Sequence, residues 1–378
     1  MAYRTALGCI HHRPLAVFAS PGRYVQGPGA TWELGRELQR LGFQGPVLFI
    51  AGGTAQRILA PIWQEQLPPV GLRPVVEAFR GECSEAEIKR LVGLAANQSF
   101  CAVVGAGGGK ASDTARAVAD ELGLPVVITP TLASTDSPCS ALSVLYSEKG
   151  SVTGFRFYNR HPELLLVDTQ VVAQAPKRQL VAGFGDALAT WFEARSCRQS
   201  DSDNAVGGKP TTTATALAKL CHDILLADGP AACSSIDAGV PTPALERIVE
   251  ANNLLSGLGF ESGGLALAHA VHNGISTIAG SHQNLHGEKV AIGLHTQLVF
   301  EGQPTSEIHE IFRYCQQVGL PTTLAQVGIN ADDEAELMAI AERAVIPGET
   351  SHNEPFEVTA IAVMRALKAA DQLGRAYL

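Results

Sequence analysis

The sequence predicts an α/β domain built on a mostly parallel sheet, followed by an all-helical domain. Three observations predict it. Up to about residue 175, short apolar runs of strand length alternate with amphipathic stretches, and glycines and turn residues separate them. Beyond Ala175-Pro176 the chain reads as helix after helix, without a convincing strand pattern. A length of 378 residues and a 46% hydrophobic composition allow a sizeable core and two domains rather than one. The expected division is residues 1–176 and residues 177–378.

In order, residues 23–29 form a short edge strand that ends at glycines. Residues 31–41 read as a helix with Thr31 placed to cap it. Residues 46–53 are an apolar run closed by Gly52-Gly53, a buried strand, and residues 54–66 are the next helix. Residues 75–79 make a strand. Ser84 opens a helix with Glu87 three residues on, the pattern of a capping box. Residues 100–104 are another buried strand, followed by glycines and a helix over 110–122. Residues 125–129 and 164–167 are later strands. Such an alternation implies a sheet covered on both faces, and such sheets bind ligands at the carboxyl ends of their strands. The loops after Val104 and Thr129 are therefore the places to look. In the second half, helices are expected over 177–197, 211–228, 244–258, 264–278, 286–301, 306–318, 333–344 and 359–373. Residues 199–210 are polar and read as a solvated connection.

Charged residues make up 17% of the chain with no long charge run, which argues against disorder. A net charge of -9 argues against nucleic acid as a partner, because phosphate backbones need a basic face. No apolar stretch is long enough to span a bilayer, so no membrane is expected. His11, His12, Arg13 and Pro14 stand where a signal peptide would need an unbroken apolar run. The eight cysteines (Cys9, Cys83, Cys101, Cys139, Cys197, Cys221, Cys233 and Cys315) form no Cys-x-x-Cys pair and read as free thiols of a cytoplasmic protein.

The run Gly105-Ala-Gly107-Gly108-Gly109-Lys110 lies between a strand and a helix. Glycines let a diphosphate approach the backbone, and N–H groups at a helix start donate to its oxygens. Val104 and Ala111 stand where a nucleoside-triphosphate P-loop needs Gly and Ser or Thr. The alternative is a tight turn with no ligand. Thr131-Leu-Ala-Ser134-Thr135-Asp136 follows the next strand, with hydroxyls for phosphate or nicotinamide and a carboxylate for a substrate hydroxyl. Ser134 or Thr135 could equally cap a turn.

Gly183-Phe-Gly-Asp186-Ala-Leu-Ala-Thr190-Trp, Gly263-Gly-Leu-Ala-Leu-Ala-His269-Ala-Val-His272 and His286-Gly-Glu-Lys-Val each place a carboxylate or imidazole in an apolar helical pattern. Together these donors suit a divalent metal. Singly, Asp186 could be an acid near a helix start, His269 a core histidine and His286 a cap. His272, one turn from His269, is a candidate partner of a ligand or a proton relay.

The glycine run, the block Pro130-Thr-Leu-Ala-Ser-Thr-Asp136 through Ser140 and Leu142 to Tyr146, and the three metal segments resemble the glycerol dehydrogenase family. The resemblance covers nearly the whole chain in order and spacing. It implies a Rossmann-like first domain and a dehydroquinate-synthase-like overall fold. It implies oxidation of glycerol or a similar vicinal diol to the hydroxyketone, with hydride transfer to NAD, and a homo-oligomer. The metal ligands it implies are Asp186, His269 and His286, with Thr190 where iron-dependent relatives carry a further histidine. The three suit Zn(II), with Fe(II) or Mn(II) as alternatives. Gly107, Gly108, Gly109, Lys110, Asp113, Thr131, Ser134, Ser140, Leu142 and Tyr146 would line the dinucleotide, and Asp136 would touch the polyol. One departure concerns the turn after the second buried strand. There NAD-selective relatives often carry an acid for the adenosine ribose, whereas this chain has Ala51-Gly52-Gly53-Thr54 with Arg57 nearby, which leaves NADP open. A same-fold enzyme for a phosphorylated substrate, such as a glycerol-1-phosphate dehydrogenase or a dehydroquinate-synthase-like cyclase, would need several cations at the metal. Lys209, Lys289 and Arg160 are available but do not cluster in the sequence. A silent dinucleotide binder would be expected to lose its metal ligands.

Overall fold

The computed structural model describes residues 15–148, 150 and 152–378; Cys9, His11, His12, Arg13 and Pro14 lie outside them. The first half runs β1 (Tyr24–Gly27), α1 (Leu34–Arg40), β2 (Gly45–Ala51), α2 (Gly53–Gln66), β3 (Leu72–Ala78), α3 (Glu85–Ala95), β4 (Ala102–Gly107), α4 (Gly109–Leu122), β5 (Val126–Pro130), β6 (Leu142–Tyr146), β7 (Val152–Phe157), β8 (Leu164–Asp168) and α5 (Thr169–Ala173). Six strands form one sheet in the order β1-β8-β5-β4-β2-β3, and every pairing in it is parallel. Alternation along β2 feeds both faces. Val47 and Phe49 pack with Leu34, Leu38, Leu59 and Trp63, while Leu48 and Ile50 pack with Ile88, Leu91 and Val118. The carboxyl ends of β2, β4 and β5 therefore share one edge, where Gly52, Gly107 and Thr131 begin their loops.

The second half is helical: α6 (Lys177–Ser200), α7 (Thr212–Ala238), α8 (Pro243–Glu250), α9 (Ser256–Gly263), α10 (Leu267–Ile275), α11 (His286–Phe300), α12 (Thr305–Val318), α13 (Glu334–Ala344) and α14 (Ala360–Gly374). None of the helices among the described residues is long and apolar enough to cross a membrane.

Several local expectations are corrected. Thr31 does not cap a helix. It lies in a 3-10 turn, Ala30–Glu33, and its N–H donates to Asp168 Oδ2 at 3.0 Å. Ser84 does cap α3, accepting from Glu87 N at 3.2 Å, but the Glu87 carboxylate accepts from Arg80 N and Arg90 instead of reaching back. Strands β6 and β7 form an antiparallel hairpin that the sequence pattern does not announce. One face is apolar, with Leu142, Val144 and Tyr146 paired to Phe157, Phe155 and Val152, while Ser143, Leu145, Gly154 and Arg156 make the other; β7 is largely exposed. Helix α7 continues through Pro230 to Ala238, because Leu225 before the proline and Ala232, Cys233 and Ile236 after it all bury in one core. The single helix expected over 244–258 is instead α8, a π-helical turn over Ala251–Leu255, and α9.

Candidate metal centre and dinucleotide cleft

Three helices meet at backbone contact, and each contact is one residue from a candidate ligand. A Cβ on Gly287 would lie 1.7 Å from Ala182 O, and one on Gly185 would lie 2.2 Å from Gly287 O. Only glycine lets α6 and α11 cross this closely, which brings Asp186 and His286 together. A Cβ on Gly293 would lie 2.1 Å from Ala268 O, so α10 packs as tightly on α11 and delivers His269.

Asp186 is fully buried in the third turn of α6, too deep to be the acid of a helix start. Its Oδ1 lies 3.3 Å from His269 Nε2 and 3.1 Å from His286 Nε2. All three donor atoms lie within 4.8 Å of one another. Two donors on one tetrahedral zinc, each bonded at about 2.0–2.1 Å, sit about 3.3 Å apart. Both Asp186–histidine separations match that spacing, so the donor set fits a divalent ion, and three protein donors leave a position for substrate. Thr190 is not part of the cluster; its hydroxyl bonds Ser256 Oγ at 2.8 Å.

The electrostatics agree with a cation at this point. Burial opposes the Asp186 charge, but His286 and His269 outweigh it and hold the carboxyl well below the usual range. Burial also opposes a charged His269, yet Glu193 and then Asp186 raise it well above an ordinary histidine. Without a metal the cluster draws protons onto imidazole; a divalent ion answers the same field. His272 behaves oppositely, pushed far down by burial and then by its neighbours His286, Lys289 and His269. Its neutral Nε2 accepts from His286 Nδ1 at 3.0 Å, which leaves His286 Nε2 facing Asp186.

Glu193 was missed by the sequence reading. It is fully buried. Its Oε2 accepts from His269 Nδ1 at 2.6 Å, and its Oε1 accepts from the N–H groups of Ala266 and His269 at 2.8 and 3.0 Å. One carboxylate thus caps α10 and fixes the imidazole, the usual arrangement behind a metal-bound histidine. The signal was present: Glu193 follows Asp186 by seven residues, two turns along one helix face.

At the sheet edge two loops face each other. Gly107 ends β4, Gly108 precedes α4, and Gly109 and Lys110 begin it. Thr131 N donates to Gly107 O at 2.9 Å. A Cβ on Gly109 would lie 3.6 Å from Thr135 Oγ1 and 3.5 Å from Ser137 Oγ, so the hydroxyl loop lies over the glycine turn. Thr131 and Ser134 are half-buried, as are Leu142 and Tyr146 on β6. Lys110 Nζ pairs with Glu82 at 2.7 Å and sits 4.6 Å from the Tyr146 ring centre.

Two expected lining residues are committed elsewhere. The Ser140 hydroxyl donates to Ser137 O at 2.9 Å, within its own turn. Burial pushes the Asp113 carboxyl up to about 6 against the pull of Arg116, with which it pairs at 2.8 Å. Arg116 also donates to the carbonyls of Ser137, Pro138 and Leu142. Asp113 therefore acts through Arg116 and β6 rather than facing the cleft.

Asp136 joins the two halves. Its backbone N–H donates to Asp186 Oδ2 at 3.1 Å, and its carboxylate accepts from Ser256 Oγ at 3.1 Å. Burial and then the Asp186 charge push its carboxyl well up. Phe260 is a buried residue of α9. Among the histidines assigned no role, His161 pairs with Glu261 at 2.6 Å and His295 stacks on Phe312 with ring centres 4.0 Å apart.

Comparisons with known proteins identify the family. A family model described as iron-containing alcohol dehydrogenase matches residues 21–169. A glycerol dehydrogenase of Thermotoga maritima is 51% identical, over 94% of this chain and 96% of the relative. A glycolaldehyde reductase of Halobacterium salinarum is 45% identical, over 95% of this chain and 98% of the relative. The crystal structure of glycerol dehydrogenase from Schizosaccharomyces pombe is similar with a TM-score of 0.93 at 35% identity, covering 97% of this chain and 92% of that one. With full-length relatives this similar and donors arranged in this way, the chain belongs to the glycerol dehydrogenase family, within the iron-containing alcohol dehydrogenases, and is an oxidoreductase.

Proposed function

We propose that the protein oxidises glycerol, or a closely similar vicinal diol, to the hydroxyketone, passing hydride to a nicotinamide dinucleotide. One divalent ion, zinc by the donor chemistry, is held by Asp186, His269 and His286. The observation that carries this reading is the contact between Asp136 N and Asp186 Oδ2 at 3.1 Å, which sets the hydroxyl loop of the sheet directly against the metal cluster. We assign residues up to Pro176 to the dinucleotide domain and those from Lys177 onward to the metal domain. The seven described cysteines are all free thiols, which supports a cytoplasmic setting.

When bound, the ion supplies positive charge that lowers the pKa of a coordinated hydroxyl. The chain's own residues do the rest. Backbone N–H groups of Gly107 to Lys110 hold the diphosphate. Thr131 and Ser134 orient the nicotinamide end, and Leu142 and Tyr146 flank it. Asp136 accepts from a polyol hydroxyl and so fixes which carbon faces the nicotinamide. A phosphorylated substrate lacks the cations it would need. Lys209 is paired with Asp203 at 2.9 Å, Arg160 is exposed, and among these three only Lys289 acts on the site, through His272.

Asp136→Asn is expected to lower kcat/KM for glycerol by about 10- to 100-fold, the loss of a hydrogen bond to a charged group. The KM for dinucleotide should stay put. Unchanged glycerol kinetics would remove Asp136 from the polyol site.

We also propose that NADP serves alongside NAD. A Cβ on Gly52 or Gly53 would meet nothing within 4 Å, and the turn Ala51-Gly52-Gly53-Thr54 itself carries no carboxylate to repel a 2′-phosphate. Glycerol-dependent reduction of the two dinucleotides should give kcat/KM values within about tenfold, or about 1.4 kcal/mol. Rejection of NADP by about a thousandfold or more would overturn this cofactor reading.

A further inference from the structure

The helix that runs from Pro243 to Gly263 changes pitch in the middle: Ala251–Leu255 is a π-helical turn between α8 and α9. Such a turn carries one extra residue and rotates the helix beyond it, and it commonly marks functional positions. Here it brings two polar side chains onto the Ala133–Asp136 segment. Asn252 Nδ2 donates to Ala133 O at 2.9 Å, and Ser256 Oγ donates to Asp136 Oδ2 at 3.1 Å. Glycines allow the approach. A Cβ on Gly257 would lie 2.7 Å from Asp136 O, and one on Gly259 would lie 2.6 Å from Thr190 Cγ2.

When Asp136 is ionised it only accepts, and a serine hydroxyl has one proton. Ser256 then donates to Asp136, and the 2.8 Å contact is Thr190 donating to Ser256. Thr190 stands one turn beyond Asp186 on α6, so the chain of hydroxyls starts on the metal-bearing helix. Thr190 and Ser256 are fully buried, and Asp136 is 7% exposed, so bulk water does not compete. Asp136 is then held at its backbone N–H by Asp186 and at one carboxylate oxygen by Ser256.

We propose that Thr190 and Ser256 are positioning residues: a hydroxyl chain, Thr190 to Ser256 to Asp136, that holds the polyol carboxylate in its productive orientation. The proposal rests on the reading of Asp136 as the polyol acceptor. A misplacement of about 1 Å at a reacting centre can cost about 100-fold, which is why such a carboxylate would be held from behind.

The test uses the zinc-loaded full chain and four variants: Ser256→Ala, Thr190→Val, Thr190→Ser and the double Ser256→Ala/Thr190→Val. Ser256→Ala should lower kcat/KM for glycerol by about tenfold or more. Calorimetry should show weaker glycerol binding to the enzyme–dinucleotide complex, while zinc content and dinucleotide affinity stay at the wild-type level. Thr190→Val, close in shape but without the hydroxyl, should show the same pattern to a smaller degree, and Thr190→Ser should restore most of it. The double variant should be no worse than Ser256→Ala alone, because the two hydroxyls act in series. Additive losses, or Ser256→Ala and Thr190→Val that keep wild-type glycerol affinity and kcat/KM, would overturn the proposal. So would losses that track zinc content or melting temperature. If Ser256→Ala does not fold, the Thr190→Val and Thr190→Ser pair carries the test, with wild-type glycerol kinetics in Thr190→Val as the overturning result. A wild-type protein that turns over no diol would fail the functional reading itself, a separate outcome.

Discussion

Asp186→Asn is expected to abolish tight metal binding and to lower kcat/KM for glycerol by at least about a thousandfold, since the ion contributes several kcal/mol to the transition state. The substitution keeps the shape of a fully buried side chain, so folding should survive. What it removes is the negative charge that both Nε2 atoms face, at 3.3 and 3.1 Å. Two neutral imidazoles and an amide make a poor site for a hard divalent ion. The amide would also present either its oxygen or its NH2 to Asp136 N, and the second choice sets donor against donor. Metal content per chain and initial rates check the expectation together. Full metal content with normal turnover would show that Asp186 is not a ligand.

Glu193→Gln carries the next largest effect, about 10- to 100-fold in zinc affinity. The wild-type carboxylate uses both oxygens, one for His269 Nδ1–H and one for the N–H groups that open α10. Glutamine has only one acceptor oxygen. Whichever way it turns, its NH2 meets a donor, so either the imidazole loses its anchor or the helix loses its cap. A chelator competition titration should show the weaker zinc binding, and the melting temperature should fall modestly. Wild-type zinc affinity in this variant would mean that His269 is held by packing alone.

Glu193 also shows where sequence reading runs out. Asp186, His269 and His286 stood out in the sequence through the resemblance of their three segments to the glycerol dehydrogenase family, since each residue singly had an ordinary alternative. The central strands were legible from their pattern: runs such as Val47–Ala51 are buried on both faces and read as unbroken apolar stretches. Glu193 is equally buried, but its partners come from residues 266 and 269, a pairing set by how α6, α10 and α11 cross. Those crossings depend on Gly185, Gly287 and Gly293, and a glycine in sequence does not say whether it serves a turn or a backbone contact. The π-helical turn was illegible because its residues read as ordinary helix. The β6–β7 hairpin is hard to read because both strands are short, Gly154 interrupts the second, and the apolar residues Val152, Phe155 and Phe157 are exposed instead of marking a buried face. Asp113 was misplaced for the opposite reason: its position beside the glycine motif suggested the cleft, while Arg116 one turn on claims its carboxylate.

The central claim is that one metal ion at Asp186, His269 and His286 enables oxidation of a vicinal diol by a nicotinamide dinucleotide. Zinc titration into chelator-stripped protein, with glycerol and either dinucleotide present, tests it most directly. Reduction should be absent in the stripped protein and should rise linearly to a plateau at one zinc per chain. Full turnover in protein shown to be free of metal would contradict the claim, as would no turnover of glycerol at full zinc occupancy.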